Sequence, residues 1–392
     1  MKSPRLRTLE REIRADAAAL ERFWAELAAS GAPLIEPVPG RPDERLVTVV
    51  WRETRSVSGV YVLANRVTDG ANARRGMMRR IDGTDVWYAS LRLPVGSRCS
   101  YRIHPFDADD PHLTEDGPRG GSARWLPDDR SDPLNAHANG PFGSMIELEG
   151  APSLAEWTAK PVLDDRTTAI EFTASTGARY RLRRFVPADF DPEPRVLVVT
   201  DAERWFGDFG IVGAISAAVT AGRIAPTLVV GVEAGPPEDR MRQLGADPAF
   251  IDTLADEILP AVAPAPAHVT LCGQSLGGLT AVAAALWRPD AFDTVLAQSA
   301  STWWRPGMTT RPTRFGDGDT WLAEQAAVAP VSAVRIRMAV GANEGPMRRD
   351  LAALRELLIT RGFDAALEVY AGGHDWCCWA AALLAGLAAD QP

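Results

Sequence analysis

Residues 273–277 read Gly-Gln-Ser-Leu-Gly, a serine with glycines two places before and two places after it. That spacing suits a strand that turns sharply into a helix, because a side chain at either glycine would collide with neighbouring backbone. Such a turn presents the Ser275 hydroxyl at the carboxyl end of a sheet, beside the positive end of a helix. "VTL" before it and "LTAVAAALW" after it supply the strand and the helix. A serine hydroxyl is a poor nucleophile until a base takes its proton. On a fold of this kind the partners follow in the order serine, acid, histidine.

Beyond Ser275 the histidine is His374, in "VYAGGHDWCCW", just after the last expected strand, where a base belongs. The expected acid is Glu344, the first carboxylate after "RIRMAV"; it would hold the imidazole in the right tautomer and stabilise the imidazolium. Asp350, about one helical turn further on, is the alternative. Asp375 adjoins the histidine, where its side chain is expected to point elsewhere. An oxyanion would be received by the backbone N–H of Leu276 and a second N–H near Ala202, in the loop after "RVLVVT".

The elements that must position these groups follow a change of rhythm along the chain. Residues 5–29 carry one apolar stripe at helical spacing, and 30–44, rich in proline and glycine, reads as a connector. From 45 come short runs rich in β-branched and aromatic residues, "RLVTVVWRE", "SGVYVLANRV", "DVWYASLRLP" and "RCSYRIHPF", which predict a small antiparallel β-sandwich over 45–160. Residues 107–144 read as a long polar loop. After 161 an antiparallel strand pair gives way to apolar strands alternating with helices at 208–222, 246–262, 276–287, 346–361 and 377–388. That alternation calls for a parallel sheet covered on both faces, an α/β catalytic domain over 161–392 behind the N-terminal helix and connector of 1–44.

The totals narrow the function classes. With 46% hydrophobic and 24% charged residues in 392, the chain has the balance of a soluble globular protein. A net charge of −9 gives no reason to expect a nucleic-acid or anionic membrane partner, so an anionic ligand would need a local arginine patch. The four cysteines and five histidines show neither a disulfide framework nor metal-ligand spacing. The charged first residues lack a signal peptide's apolar core, and no uninterrupted apolar stretch reaches the ~18 residues of a membrane span, so a cytoplasmic location is expected.

With "CGQSLGGLTA", "AQSASTWWRP", "VGANEGPM" and "GGHDWCCW" in order, and "VTVVWRE", "RRIDGTDVWYASLRLP", "SYRIHPF" and "SDPLNAHA" before them, the chain resembles the iron-enterobactin (enterochelin) esterases from about residue 45 to 385. The resemblance implies an α/β-hydrolase with a preceding β-domain that shapes the substrate cleft. It implies a cytoplasmic serine esterase that hydrolyses a catecholate siderophore built on a cyclic trilactone of N-(2,3-dihydroxybenzoyl)serine. No cofactor is implied, ferric iron entering only as part of the substrate. The family's serine and histidine fall on Ser275 and His374, its acid on Glu344.

Two departures stand out: Ala202 where the family often has glycine, and "QSAS" where it has "QSGS". An added methyl at each is expected to narrow the site. A large aromatic anion suits arginines and aromatic faces, and the residues expected to meet it are Arg79 and Arg80 of "RRGMMRR", Arg204, Trp205, Arg240, Trp303, Trp304 and Arg305. The rival readings are a feruloyl or acetyl esterase or a thioesterase with the same machinery, and, from another class, a siderophore-binding protein with a vestigial elbow.

Overall fold

Ser3 accepts a hydrogen bond from the Leu6 backbone N–H at 3.2 Å, and Pro4 follows it in the first helical turn, so a helix starts here, α1 (Pro4–Ala15). The computed structural model describes residues 2–114, 117–119, 131–157, 166–188, 194–265, 267–308 and 320–390. They form two units, 1–152 with 371–378, and 153–370 with 379–392.

In the first unit the single stripe expected over 5–29 is two helices. Asp16 adopts an extended backbone, its carboxylate takes the Ala18 N–H at 2.9 Å, and the chain restarts as α2 (Ala19–Ser30). Leu6, Leu9, Phe23 and Leu27 pack against Val50 and Val86 of the sheet beneath. The stretch expected as a connector is a hairpin, β1 (Leu34–Val38) and β2 (Arg41–Arg52), with Leu34 opposite Thr48 and Glu36 opposite Leu46. Pro39-Gly40, with Gly40 at φ +73°, makes the corner. Pro37 within β1 is tolerated because the strand lies at a sheet edge.

The remaining strands here are β3 (Gly59–Ala64), β4 (Arg79–Arg80), β5 (Val86–Pro94), β6 (Arg98–Phe106), the small β7 (Leu113–Thr114) and β8 (Gly117–Pro118), and β9 (Met145–Glu147). Antiparallel sheets β1-β2-β5-β4 and β3-β6-β9 bury Val47, Val62, Leu91, Ile103 and Ile146 in one core between them. The hairpin β7-β8 falls inside the expected long loop; residues 115–116 and 120–130 of that loop lie outside the described residues.

The second unit is built on an eight-stranded sheet. Its strands are β10 (Thr167–Thr173), β11 (Arg179–Phe185), β12 (Arg195–Thr200), β13 (Thr227–Val232), β14 (His268–Gln274), β15 (Thr294–Gln298), β16 (Arg335–Gly341) and β17 (Ala365–Tyr370), in the spatial order β10-β11-β13-β12-β14-β15-β16-β17. β10 and β11 are an antiparallel hairpin, β11 meets β13 antiparallel, and the rest of the sheet is parallel. The helices are α3 (Ile211–Thr220), α4 (Pro237–Gln243), α5 (Pro248–Thr253), α6 (Leu259–Val262), α7 (Leu276–Trp287), α8 (Trp321–Val328), α9 (Pro346–Arg361) and α10 (Trp376–Ala389). β13 and β15 are buried at every residue, as strands covered on both faces are. Among the described residues no helix is long and apolar enough to cross a membrane.

Candidate active site

Ser275 stands between β14 and α7 at φ +58°, ψ −112°, a conformation that L residues rarely adopt and that only its surroundings can hold. Those surroundings require the glycines. A Cβ at Gly273 would come within 2.1 Å of the Gly277 carbonyl oxygen, and one at Gly277 within 2.3 Å of Thr200 Oγ1. The turn is tied down by the Ser275 N–H donating to Gln298 O at 2.9 Å, while the Leu279 N–H donates to Ser275 O at 3.1 Å. The N-terminus of α7, with Leu276 as its first residue, therefore lies beside the serine hydroxyl. Cys272, three residues away, is no competitor: burial pushes its thiol pKa up, so it stays protonated.

The turn after β15 carries groups that spacing did not reveal. Ser301 Oγ lies 3.1 Å from Ser275 Oγ, and the Ser301 N–H donates to Ser275 O at 2.9 Å. Two residues earlier, Ser299, at φ +47°, donates its hydroxyl to Glu344 Oε1 at 2.6 Å. Glu344 follows β16, is buried, and accepts the Gly341 N–H on the same oxygen at 2.8 Å. Trp379 Nε1 donates to Ser299 Oγ at 2.9 Å, and the Tyr370 hydroxyl lies 3.2 Å from it. One short turn thus touches both the serine and the carboxylate. Asp350, half-buried on α9, accepts from Thr302 Oγ1 at 2.9 Å.

His374 belongs to the 371–378 segment that follows β17 and is grouped with the first unit. Asn65 Nδ2 donates to the His374 carbonyl at 2.9 Å, and Arg98 N–H to Ala371 O at 2.9 Å. Asp375 is occupied structurally: its Oδ2 accepts the Ser100 N–H at 2.7 Å and the Ser100 hydroxyl at 2.8 Å. A Cβ at Gly373 would meet Arg66 Cβ at 2.5 Å, which is why glycine precedes the histidine.

The two alanines expected to narrow the site lie in the interior. Ala202 and Ala300 are both fully buried. Ala202 faces Gly231, where a Cβ would come within 2.6 Å of its own, and Ala300 packs on Gly278. Several expected ligand contacts are likewise part of the core. Trp205 is fully buried, donates Nε1 to Gln274 Oε1 at 3.1 Å and packs on Trp157 at 5.5 Å between ring centroids. Trp304 is 3% exposed and donates Nε1 to Gly245 O at 3.0 Å. Arg240 grips Asp201 with Nε and Nη2, the latter at 3.0 Å; burial opposes its charge, but the hydrogen bond and charge of Asp201 prevail and its pKa is raised.

Arg204 is exposed, paired with Asp208 at 2.7 Å and stacked over Phe209; Arg305 is exposed and paired with Glu324; Trp303 is half-buried, edge-on to Trp304. Arg79 and Arg80 lie on β4 of the first unit, and Arg80 is committed to Thr84 O at 2.8 Å and Glu53 at 3.2 Å.

Residues 173–389 match the family described as "Putative esterase", and residues 46–157 match "Enterochelin esterase, N-terminal". An iron(III) salmochelin esterase of Escherichia coli O6:H1 is 34% identical, the alignment covering 94% of this chain and 93% of that one. An iron(III) enterobactin esterase of Dickeya dadantii is 28% identical, over 95% and 94% of the two chains. The crystal structure of an enterobactin esterase from Shigella flexneri in the presence of enterobactin superposes with a TM-score of 0.77 at 25% identity, covering 94% of this chain and 97% of that one.

Proposed function

Because the chain belongs to the enterochelin esterase family and is a carboxylic ester hydrolase, we propose that it hydrolyses the ester bonds of a catecholate trilactone siderophore, ferric enterobactin or a close analogue such as salmochelin, releasing iron in the cytoplasm. The observation that carries the chemistry is the strained Ser275 elbow, walled by Gly273 and Gly277. The substrate class rests on likeness to full-length relatives named for those siderophores.

Ser275 Oγ attacks the ester carbonyl while His374 takes its proton. The oxyanion that forms is received by the N–H groups of Leu276 and Ala202, fixed donors that need no reorganisation as charge develops. Collapse of the tetrahedral intermediate expels the seryl alkoxide of the trilactone, which takes the proton from the imidazolium. Water then attacks the acyl-enzyme, with His374 again as base, and frees Ser275. Glu344 orients the imidazole and stabilises its charged form. Its own orientation comes from Ser299 and the Gly341 N–H.

The test is chromatography of enterobactin and salmochelin, each with and without iron, after incubation with the wild type and with Ser275→Ala. Linear fragments from the wild type alone are expected. An intact siderophore in every reaction, with a simple aryl ester still cleaved, would keep the nucleophile and discard the substrate.

A further inference from the structure

The first unit holds a concavity of about 550 Å³. Among the described residues its walls carry the cations Lys2, Arg74, Arg75 and Arg79, together with Met77 and Tyr88. They come from separate stretches: the residues before α1, the 3₁₀ turn of Gly70–Gly76, and β4. Pairing of β4 with β5 sets Arg79 opposite Tyr88, and Lys2 Nζ lies 5.2 Å from the centre of the Tyr88 ring. Residues directly opposite in an antiparallel pair share a face, so charge and aromatic surface are presented together.

The balance of charge there is one-sided. No carboxylate lines the concavity among the described residues. Lys2 is paired with Glu10, but Arg75 and Arg79, both exposed, make no ion pair or side-chain hydrogen bond among the described residues. Arg80, next along the strand, is by contrast bonded to Thr84 and Glu53. Uncompensated cations converging in a hollow, in a chain of net charge −9, repel one another and set up a local positive potential. A ligand with several negative charges relieves that repulsion. Guanidinium forks match paired oxygens, and Met77 and Tyr88 offer soft and aromatic surface to a ring.

We infer that this concavity is a binding site for a multiply charged aromatic anion. On the reading of the preceding subsection, which this inference rests on, that anion is the iron-loaded tris-catecholate. Six deprotonated catechol oxygens around ferric iron leave a net trianion, whereas the iron-free trilactone keeps its catechol protons and is uncharged. The concavity therefore selects the loaded form by charge.

The experiment is equilibrium dialysis of the full chain carrying Ser275→Ala against ferric tris-catecholate, followed by its visible absorbance, and against iron-free trilactone. Adding Arg75→Ala and Arg79→Ala, at exposed positions that leave the core intact, is expected to weaken binding of the ferric complex about tenfold, roughly 1.4 kcal/mol. The iron-free lactone should change less than about twofold. Raising ionic strength from about 0.1 M to about 1 M shortens the screening length from about 10 Å to about 3 Å. Binding of the ferric complex should weaken with it, and less so in the double variant. Equal affinity of parent and variant for the ferric complex, or equal loss for both forms, would overturn the inference. Failure of the siderophore reading shows separately, as intact ester bonds with the wild type.

Discussion

Replacing Ser301 by alanine isolates one hydrogen bond to Ser275 Oγ, the proposed nucleophile. Ser301 is fully buried and its hydroxyl lies 3.1 Å from Ser275 Oγ, while its backbone N–H bond to Ser275 O at 2.9 Å survives the substitution. The elbow is therefore kept and only the hydroxyl contact is lost. A neutral hydrogen bond is worth about 0.5–1.5 kcal/mol net, so the acylation rate should fall roughly two- to twelvefold. KM for a small aryl ester should hardly move, because the lost group holds the nucleophile and not the substrate. The melting temperature should shift by no more than about 4 °C. The assay is the second-order rate of fluorophosphonate labelling of Ser275, with kcat and KM measured beside it. A labelling rate within about 1.5-fold of the wild type, well below the change worked out above, would refute the reasoning. So would a loss as large as that of Ser275→Ala, which would make Ser301 a participant in bond making and not a holder of Ser275.

Two further outcomes follow from the network. Glu344→Gln is expected to lower kcat by roughly 10²–10⁴, while Asp350→Asn, which keeps the side-chain oxygen that accepts from Thr302, should stay within about threefold; the reverse order would transfer the acid's role to Asp350. Asp390 accepts hydrogen bonds from Thr294 Oγ1 at 2.7 Å and Thr270 Oγ1 at 3.1 Å and lies 2.7 Å from His268 Nε2 and 2.8 Å from Arg335. Burial works to raise its pKa, but His268, Thr294 and Arg335 outweigh burial and the value is lowered. A depressed carboxylate contributes stability above its unfolded pKa of about 3.9 and loses that contribution as pH falls through the folded value. Asp390→Asn should thus be less stable than the wild type to urea at pH 7 and converge with it in acid. A gap that persists undiminished below pH 3 would refute the linkage.

The elbow and the parallel sheet were readable from sequence because each is a local pattern. Gly273 is demanded by the Gly277 backbone four residues along and Gly277 by the Thr200 side chain, and α7 and α9 run over the same residues as their apolar periodicity predicts. The hairpin of β1 and β2 was hidden because Pro37, tolerated at a sheet edge, together with Pro33, Pro39 and Pro42 around it, looks like a linker. Trp205 and Trp304 looked like ligand contacts because an aromatic residue beside an arginine reads the same whether its ring faces solvent or packs inside. Ser299 and Ser301 left no mark, being small hydroxyls in a loop whose partners, Glu344 and Ser275, lie tens of residues away. Asn65 and Ser100, which hold the histidine segment, are farther still, and contacts across that separation leave no periodicity to read.

That last attachment bears on how the molecule can be divided and inherited. A piece of chain beginning at residue 153 keeps the elbow, the sheet and Glu344, yet it leaves residues 371–378 without the Asn65 and Ser100 bonds that fix the backbone of His374 and the side chain of Asp375. With His374 as the proposed base, the boundary drawn along the chain is not the boundary of the working unit. Recombination that exchanged the front portion for an unrelated one would remove those anchors even if every residue from 153 onward were unchanged.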